Sequence, residues 1–175
     1  MKKKLFIVVD MQNDFVTGSL GTKEAQAIVP KIAEELKLLD KNDMVIYTQD
    51  THFDDDYFET LEGKMLPIKH CIMGTNGWNI IEELQKINEG TRYVKTTFGS
   101  TRLADLIQGD DEDYEIHFAG VCTNICVVTN ALMVRMYQPN KRIIVHADMC
   151  AGTTPEKHKM ALEVMKSCQI EVVGE

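Results

Sequence analysis

The chain has 175 residues, 44% of them apolar and 26% charged, which suits one soluble globular domain with a sizeable core. A formal net charge of −8 argues against nucleic acid or an anionic membrane surface as partner. Five cysteines without small-domain disulfide spacing fit a reducing cytoplasm, and no apolar run approaches a membrane span.

The basic start Met1-Lys2-Lys3-Lys4 is followed by an apolar run too short for a signal peptide, because Asp10 ends it. That run, Leu5 to Val9, is continuous and β-branched, and predicts a strand buried on both faces. A loop with Gly18 and Gly21 follows. Ile28, Ile32, Leu36 and Leu39 then recur at helical spacing within 25–39. Met44 to Thr48 predicts a second strand, ending near Asp50. The stretch from Thr51 to about Gly77 has no clear period, yet holds His52, Pro67 and His70, with Trp78 just beyond. Its length and content predict an ordered active-site loop. A short helix is expected over 80–87, a third strand over 92–94 ending near Lys95, and a helical turn or two over 103–107. Tyr114 to Ala119 predicts a fourth strand and Val127 to about Gln138 a helix. Arg142 to Val145 predicts a fifth strand, Pro155 opens a helix to about Ser167, and Ile170 to Val173 predicts a sixth.

Strands alternating with helices imply an α/β fold: three layers, with a six-stranded, mostly parallel sheet covered by helices on both faces. Ligands of such sheets bind beyond the carboxyl ends of strands, where the strand order reverses. Asp10, Asp50, Lys95 and Cys126 all fall at or just past predicted strand ends. Four reactive groups from four strands would converge on one edge.

The segment Gly120-Val121-Cys122-Thr123-Asn124-Ile125-Cys126 joins the fourth strand to the helix after it. Backbone N–H groups at such a helix start suit a developing anion, and a thiol there has its thiolate favoured. Cys126 therefore reads as an activated nucleophile beside an oxyanion hole, or else as a small residue in strand-to-helix packing. Asp10, in an apolar site, suits a general base to that thiol, or a turn cap. Lys95 suits a cation paired with Asp10 that supports the thiolate, or a strand end reaching solvent. Asp50-Thr51-His52 projects two ligands to one side, and with His70 suits Zn²⁺, Fe²⁺ or Mn²⁺, with Glu62 or water completing the set. Phe15 is placed to wall a pocket or to pack in the core. Cys71, Cys150 and Cys168 read as small packing residues, and His117 and His146 as hydrogen-bonded within the core. Cys122 and Cys126 are spaced C-x-x-x-C, a weak signal for a redox pair.

Asp10-Met11-Gln12-Asn13-Asp14-Phe15, Lys95-Thr96-Thr97-Phe98 and Gly120 to Val127 together resemble the isochorismatase-like cysteine hydrolases, over essentially the whole chain. The resemblance implies a single Rossmann-like hydrolase domain over 1–175 and an Asp10, Lys95, Cys126 triad. It also implies a cis peptide between Val121 and Cys122, with the N–H groups of Cys122 and Cys126 as the oxyanion hole. Within the family, Asp50-Thr51-His52 and Pro67 to Cys71 look like the metal motif of nicotinamidases, and Glu62 like the extra carboxylate of some members. That branch would bind a divalent metal, zinc foremost, which orients nicotinamide through its ring nitrogen. Phe15, Leu66 and Phe98 would contact substrate. Leu66 takes the place where this branch usually carries an aromatic residue, if the loop has one extra residue. The implied reaction is hydrolysis of a small carboxamide through a thioester on Cys126, with a carbamoyl or ureido substrate as the alternative. The expected partners are the small amide and further copies of the chain, as a dimer or tetramer.

Overall fold

A computed structural model describes residues 2–107 and 113–175. Its centre is a sheet of six strands: β1 (Lys3–Val9), β2 (Met44–Asp50), β3 (Thr91–Lys95), β4 (Tyr114–Val121), β5 (Ile143–Ala151) and β6 (Glu171–Val173). They lie in the order β3-β2-β1-β4-β5-β6, and all five neighbouring pairs are parallel. Parallel strands need crossover connections, and those crossovers cover both faces with helices.

Burial on both faces explains why β1 reads as an unbroken apolar run. Phe6 and Val8 pack with Ile28, Ile32 and Leu36 of α2 (Lys23–Leu38) on one side. Leu5, Ile7 and Val9 pack on the other side, with Leu103 and Ile107 of α5 (Thr101–Ile107), Val134 of α6 (Val128–Tyr137) and Met165 of α7 (Pro155–Ser167). Shorter helices are α1 (Asn13–Val16), α3 (Leu61–Met65) and α4 (Glu82–Gln85). Thr22 and Thr154 cap α2 and α7 by accepting from the N–H groups of Ala25 and Lys157, and Pro155 opens α7 as its composition predicts.

The differences from the sequence reading are local. The helix expected over 80–87 contracts to α4, because Ile80 is drawn into an antiparallel bridge with Gln12. β5 runs six residues past Val145, because its far half pairs with the end of β4 across an irregularity between Phe118 and Gly120. The helix expected from Val127 is preceded by a π-helical turn, Thr123–Val127, in which the Val127 N–H reaches back to the Cys122 carbonyl at 3.1 Å. Cys71 and Cys150 are buried as expected. Cys168 is not: it caps the C-terminus of α7 and is exposed.

The strand order reverses between β1 and β4, whose successors lie on opposite sides. Gly120 makes that junction tight. It has φ 121, and a Cβ there would lie 2.1 Å from the Val9 carbonyl oxygen, so only glycine fits beside the strand that leads into Asp10.

Candidate active site

β1, β2, β3 and β4 end on one edge of the sheet, and the registry brings their ends to within two residues of one another. Val9 sits opposite Thr48 and Gly120, and Asp50 opposite Lys95. Asp10 follows β1 in a left-handed conformation, φ 51, which turns its side chain into the protein. Its Oδ1 accepts from the Thr48 hydroxyl at 2.6 Å, and its Oδ2 lies 2.7 Å from Lys95 Nζ. Lys95 Nζ also reaches Asp50 Oδ1 at 3.1 Å and Cys126 Sγ at 3.7 Å. Asp10, Lys95 and Cys126 are thus brought together and buried, at 0%, 4% and 6% exposure. The peptide between Val121 and Cys122 is cis, as the resemblance implies.

A lysine so deep stays charged only if compensated. Burial pulls its pKa down, but the carboxylates of Asp10 and Asp50 and the nearby Cys126 more than offset this and hold it above the ordinary lysine value. Burial raises Asp10 above an ordinary aspartate, with Lys95 opposing and Asp50 adding to the rise. Burial also pushes the Cys126 thiol well above its ordinary value; Asp10 adds to the rise and Lys95 opposes it. Two influences therefore oppose each other at this thiol. The helix start and Lys95 Nζ, 3.7 Å from Sγ, favour the thiolate, whereas burial and the Asp10 and Asp50 carboxylates disfavour it.

Asp50, His52, Glu62 and His70 each offer a ligand atom, and all four atoms lie within 4.8 Å of one another, the one such cluster among the described residues. Asp50 Oδ2 is 3.1 Å from His52 Nε2, and Glu62 Oε1 is 3.5 Å from His70 Nε2. The donor set suits a divalent metal. The second ring nitrogen of His70 is engaged at Nδ1, 2.9 Å from the Ile68 carbonyl, and the Tyr57 hydroxyl sits at 3.2 Å, which leaves Nε2 free to bind. Two carboxylates and two imidazoles match zinc or iron chemistry. Burial lifts Asp50, but hydrogen bonds and charge from His52 and Lys95 pull it below an ordinary aspartate.

Metal cluster and thiol share one cavity of about 250 Å³. Phe15, Leu66, Phe98, Val121, Cys122 and Ile125 wall it, and Asp50, Glu62, His70 and Cys126 reach it. Asp10, Lys95 and His52 lie behind these walls. Phe15 packs its ring 5.5 Å from that of His70. All the sites read from the sequence therefore fall around one space. The five cysteines are free thiols.

The sequence reading missed the residues that hold these groups. Asn130, buried on α6, donates to the carbonyls of Cys126 at 2.8 Å and Phe98 at 3.1 Å, and accepts from the Ser100 N–H at 2.9 Å. It ties the thiol's turn to the loop after Lys95. Its signal was a polar residue four places after Cys126 in an apolar helix face. The bond from Lys95 to Asp50 was missed as well; it joins the triad to the metal cluster through one carboxylate.

The Isochorismatase domain family model matches residues 4–174. The chain belongs to the isochorismatase family. The isochorismatase family protein PncA of Bacillus subtilis is 31% identical over 176 residues, covering 91% of this chain and 92% of its own. The nicotinamidase/pyrazinamidase of Mycobacterium tuberculosis is 26% identical over 186 residues, covering 97% and 98%. Among solved structures, the zinc complex of Pyrococcus horikoshii pyrazinamidase superposes with a TM-score of 0.83 at 26% identity, over 99% of each chain. The six-stranded isochorismatase-like α/β fold is therefore shared, and no helix among the described residues is long and apolar enough to cross a membrane.

Proposed function

We propose that this family member is an amidohydrolase that converts nicotinamide to nicotinate and ammonia. The carrying observation is the contact of Cys126 with the Lys95–Asp10 pair at one end of a cavity whose other end holds four metal-ligating side chains. Likeness to nicotinamidases and a pyrazinamidase supports the same reading.

Asp10 takes the proton from Cys126 as Sγ attacks the carbonyl carbon, so charge is created only as the bond forms. The resulting oxyanion would be held by the N–H groups of Cys122 and Cys126. Asp10 returns the proton to the amide nitrogen, the C–N bond breaks and ammonia leaves a thioester. Water then adds to the thioester, giving a proton up to Asp10, and the acid departs as Cys126 regains its hydrogen. Lys95 stays protonated and keeps Asp10 ionised between these transfers. A metal held by Asp50, His52, Glu62 and His70 would supply a Lewis acid that engages the ring nitrogen and fixes the ring's orientation. The apolar walls Phe15, Leu66 and Phe98 would sandwich the ring.

The test is ammonia release from nicotinamide, pyrazinamide and benzamide by purified protein of known metal content. Turnover of the first two, with benzamide poor, is expected. Leu66 presents an aliphatic wall, which also suits a non-aromatic substrate. Turnover of ureido acids with none of nicotinamide would replace this reading by the second one.

A further inference from the structure

The segment after β1 carries two polar side chains that the reaction does not use, Gln12 and Asp14, and both reach the metal cluster's backbone. Gln12 Oε1 accepts from the Asp50 N–H at 2.7 Å, and its Nε2 donates to the Asp50 carbonyl at 2.8 Å. Asp14 reaches the other side. Its Oδ2 accepts from the Cys71 N–H at 2.8 Å.

Cys71 directly follows His70 and adopts φ 49, a left-handed conformation that a non-glycine residue rarely holds without support. Its carbonyl accepts from the His52 N–H at 3.0 Å. One residue thus links the backbones of both histidines. Asp14 is itself seated by the chain: its N–H donates to the Gly77 carbonyl at 3.0 Å, and a Cβ at Gly77 would lie 2.1 Å from Oδ2.

We propose that Asp14 is a positioning residue for the metal site: its carboxylate holds Cys71 in the conformation that aims His52 and His70 at a common point. This rests on reading Asp50, His52, Glu62 and His70 as a metal site. Outer residues that orient ligands set metal affinity, and their loss costs about ten- to a hundredfold. Asp14 does not touch the thiol or its partners in any contact described above, so the effect should stay on the metal side.

The experiment is zinc affinity by competition with a chromophoric chelator. It compares the wild-type protein with Asp14→Ala, Asp14→Asn and Gly77→Ala. Iodoacetamide labelling of Cys126 is followed by peptide mass spectrometry in the metal-free proteins. Asp14→Ala should weaken zinc about ten- to a hundredfold. Asp14→Asn should recover most of that, because its side-chain oxygen still accepts from Cys71. Gly77→Ala should resemble Asp14→Ala, since its methyl group displaces the carboxylate. Labelling of Cys126 should proceed at the wild-type rate in all of them. Equal zinc affinity in wild type and Asp14→Ala would overturn the proposal. So would a loss that asparagine does not restore, or one accompanied by altered labelling, since Asp14 would then support the whole loop. Wild-type protein that takes up no zinc at all would sink the metal site itself, and the proposal with it.

Discussion

Two clusters of titratable side chains, one at the edge of the sheet and one within it, are treated in opposite ways. At the carboxyl edge of the sheet Asp10, Lys95 and Asp50 lie within ion-pair distance, and Lys95 is held charged. In the middle of the sheet His117 of β4 and His146 of β5 stack at 5.2 Å with Nδ1 and Nε2 2.9 Å apart, against Phe6. There burial pushes both imidazoles down, His117 to about 4, and the pair is neutral. The difference is the degree of compensation. Lys95 has two carboxylates within 3.1 Å, whereas His117 has Glu115 at 3.7 Å, against burial and a second imidazole. Of the two, the first cluster borders the cavity, and there the retained charge is placed to act on a bound molecule.

The strongest way to break this contrast is at the thiol. Cys126→Ala should abolish turnover, whereas Cys122→Ala should keep most of it, because the proposed reaction draws only on the Cys122 backbone N–H. Comparable losses in steady-state assays of both variants would instead favour a thiol pair. Next come the charges around it. Lys95→Met and Asp10→Asn should each lose at least ~10²-fold in rate, the lower end for a positioned acid–base group. Lys95→Met should also slow Cys126 alkylation at neutral pH relative to a surface-lysine variant. Unchanged labelling with full activity would remove Lys95 from the site. Because burial raises Asp10, the base is lost to protonation earlier on acidification, and the acid limb of kcat/KM should lie above the 3.8 of a free aspartate.

The metal cluster sharpens the comparison, because Asp50 belongs to both halves of the site. His52→Ala and His70→Ala should each lower bound metal and raise KM while Cys126 alkylation survives. Asp50→Ala should lower bound metal and also disturb alkylation, since it removes a partner of Lys95. If all three behave alike in both assays, the Lys95–Asp50 contact carries no weight. If metal removal unfolds the protein, the site is structural.

How much of this was legible follows from what a pattern can carry. Strand ends are visible as the point where an apolar run meets a charged residue, so Asp10, Asp50 and Lys95 could be placed on one edge. The family motifs supplied the cis peptide at Cys122. Gln12, Asp14 and Asn130 were invisible in their roles, because each acts by hydrogen-bonding backbone groups distant in sequence, 38, 57 and 32 residues away. Nothing in a local pattern records such a partner. The surroundings of Cys126 were only half legible for a related reason: the helix start is local, whereas the burial and the Asp10 carboxylate that oppose a thiolate come from other strands. Cys168 was assigned to the interior by residue type alone, and its place at the end of α7 exposes it.

The smallest effect expected lies in the neutral cluster, where acid should act on stability rather than catalysis. Folded His117 titrates near 4, below the ordinary 6.5, so the unfolded chain binds more protons between those values. Stability is then fully present above about 6.5 and falls as the pH drops toward 4. Glu115 and Glu35 oppose the shift of His117 while Lys4 and the second histidine reinforce it, and Asp148 and Glu35 pull His146 up. The shift of His117 already includes these charges, so the loss between pH 7.5 and 5 is on the order of 2 kcal/mol. His117→Leu keeps an apolar contact with Phe6 and removes one proton site. Its urea midpoint should therefore fall less between pH 7.5 and 5 than that of the wild-type protein. Asp10 titrates in both proteins and cancels in the difference. Equal falls would place the acid sensitivity outside the histidine pair, and the contrast between the two clusters would then concern packing alone.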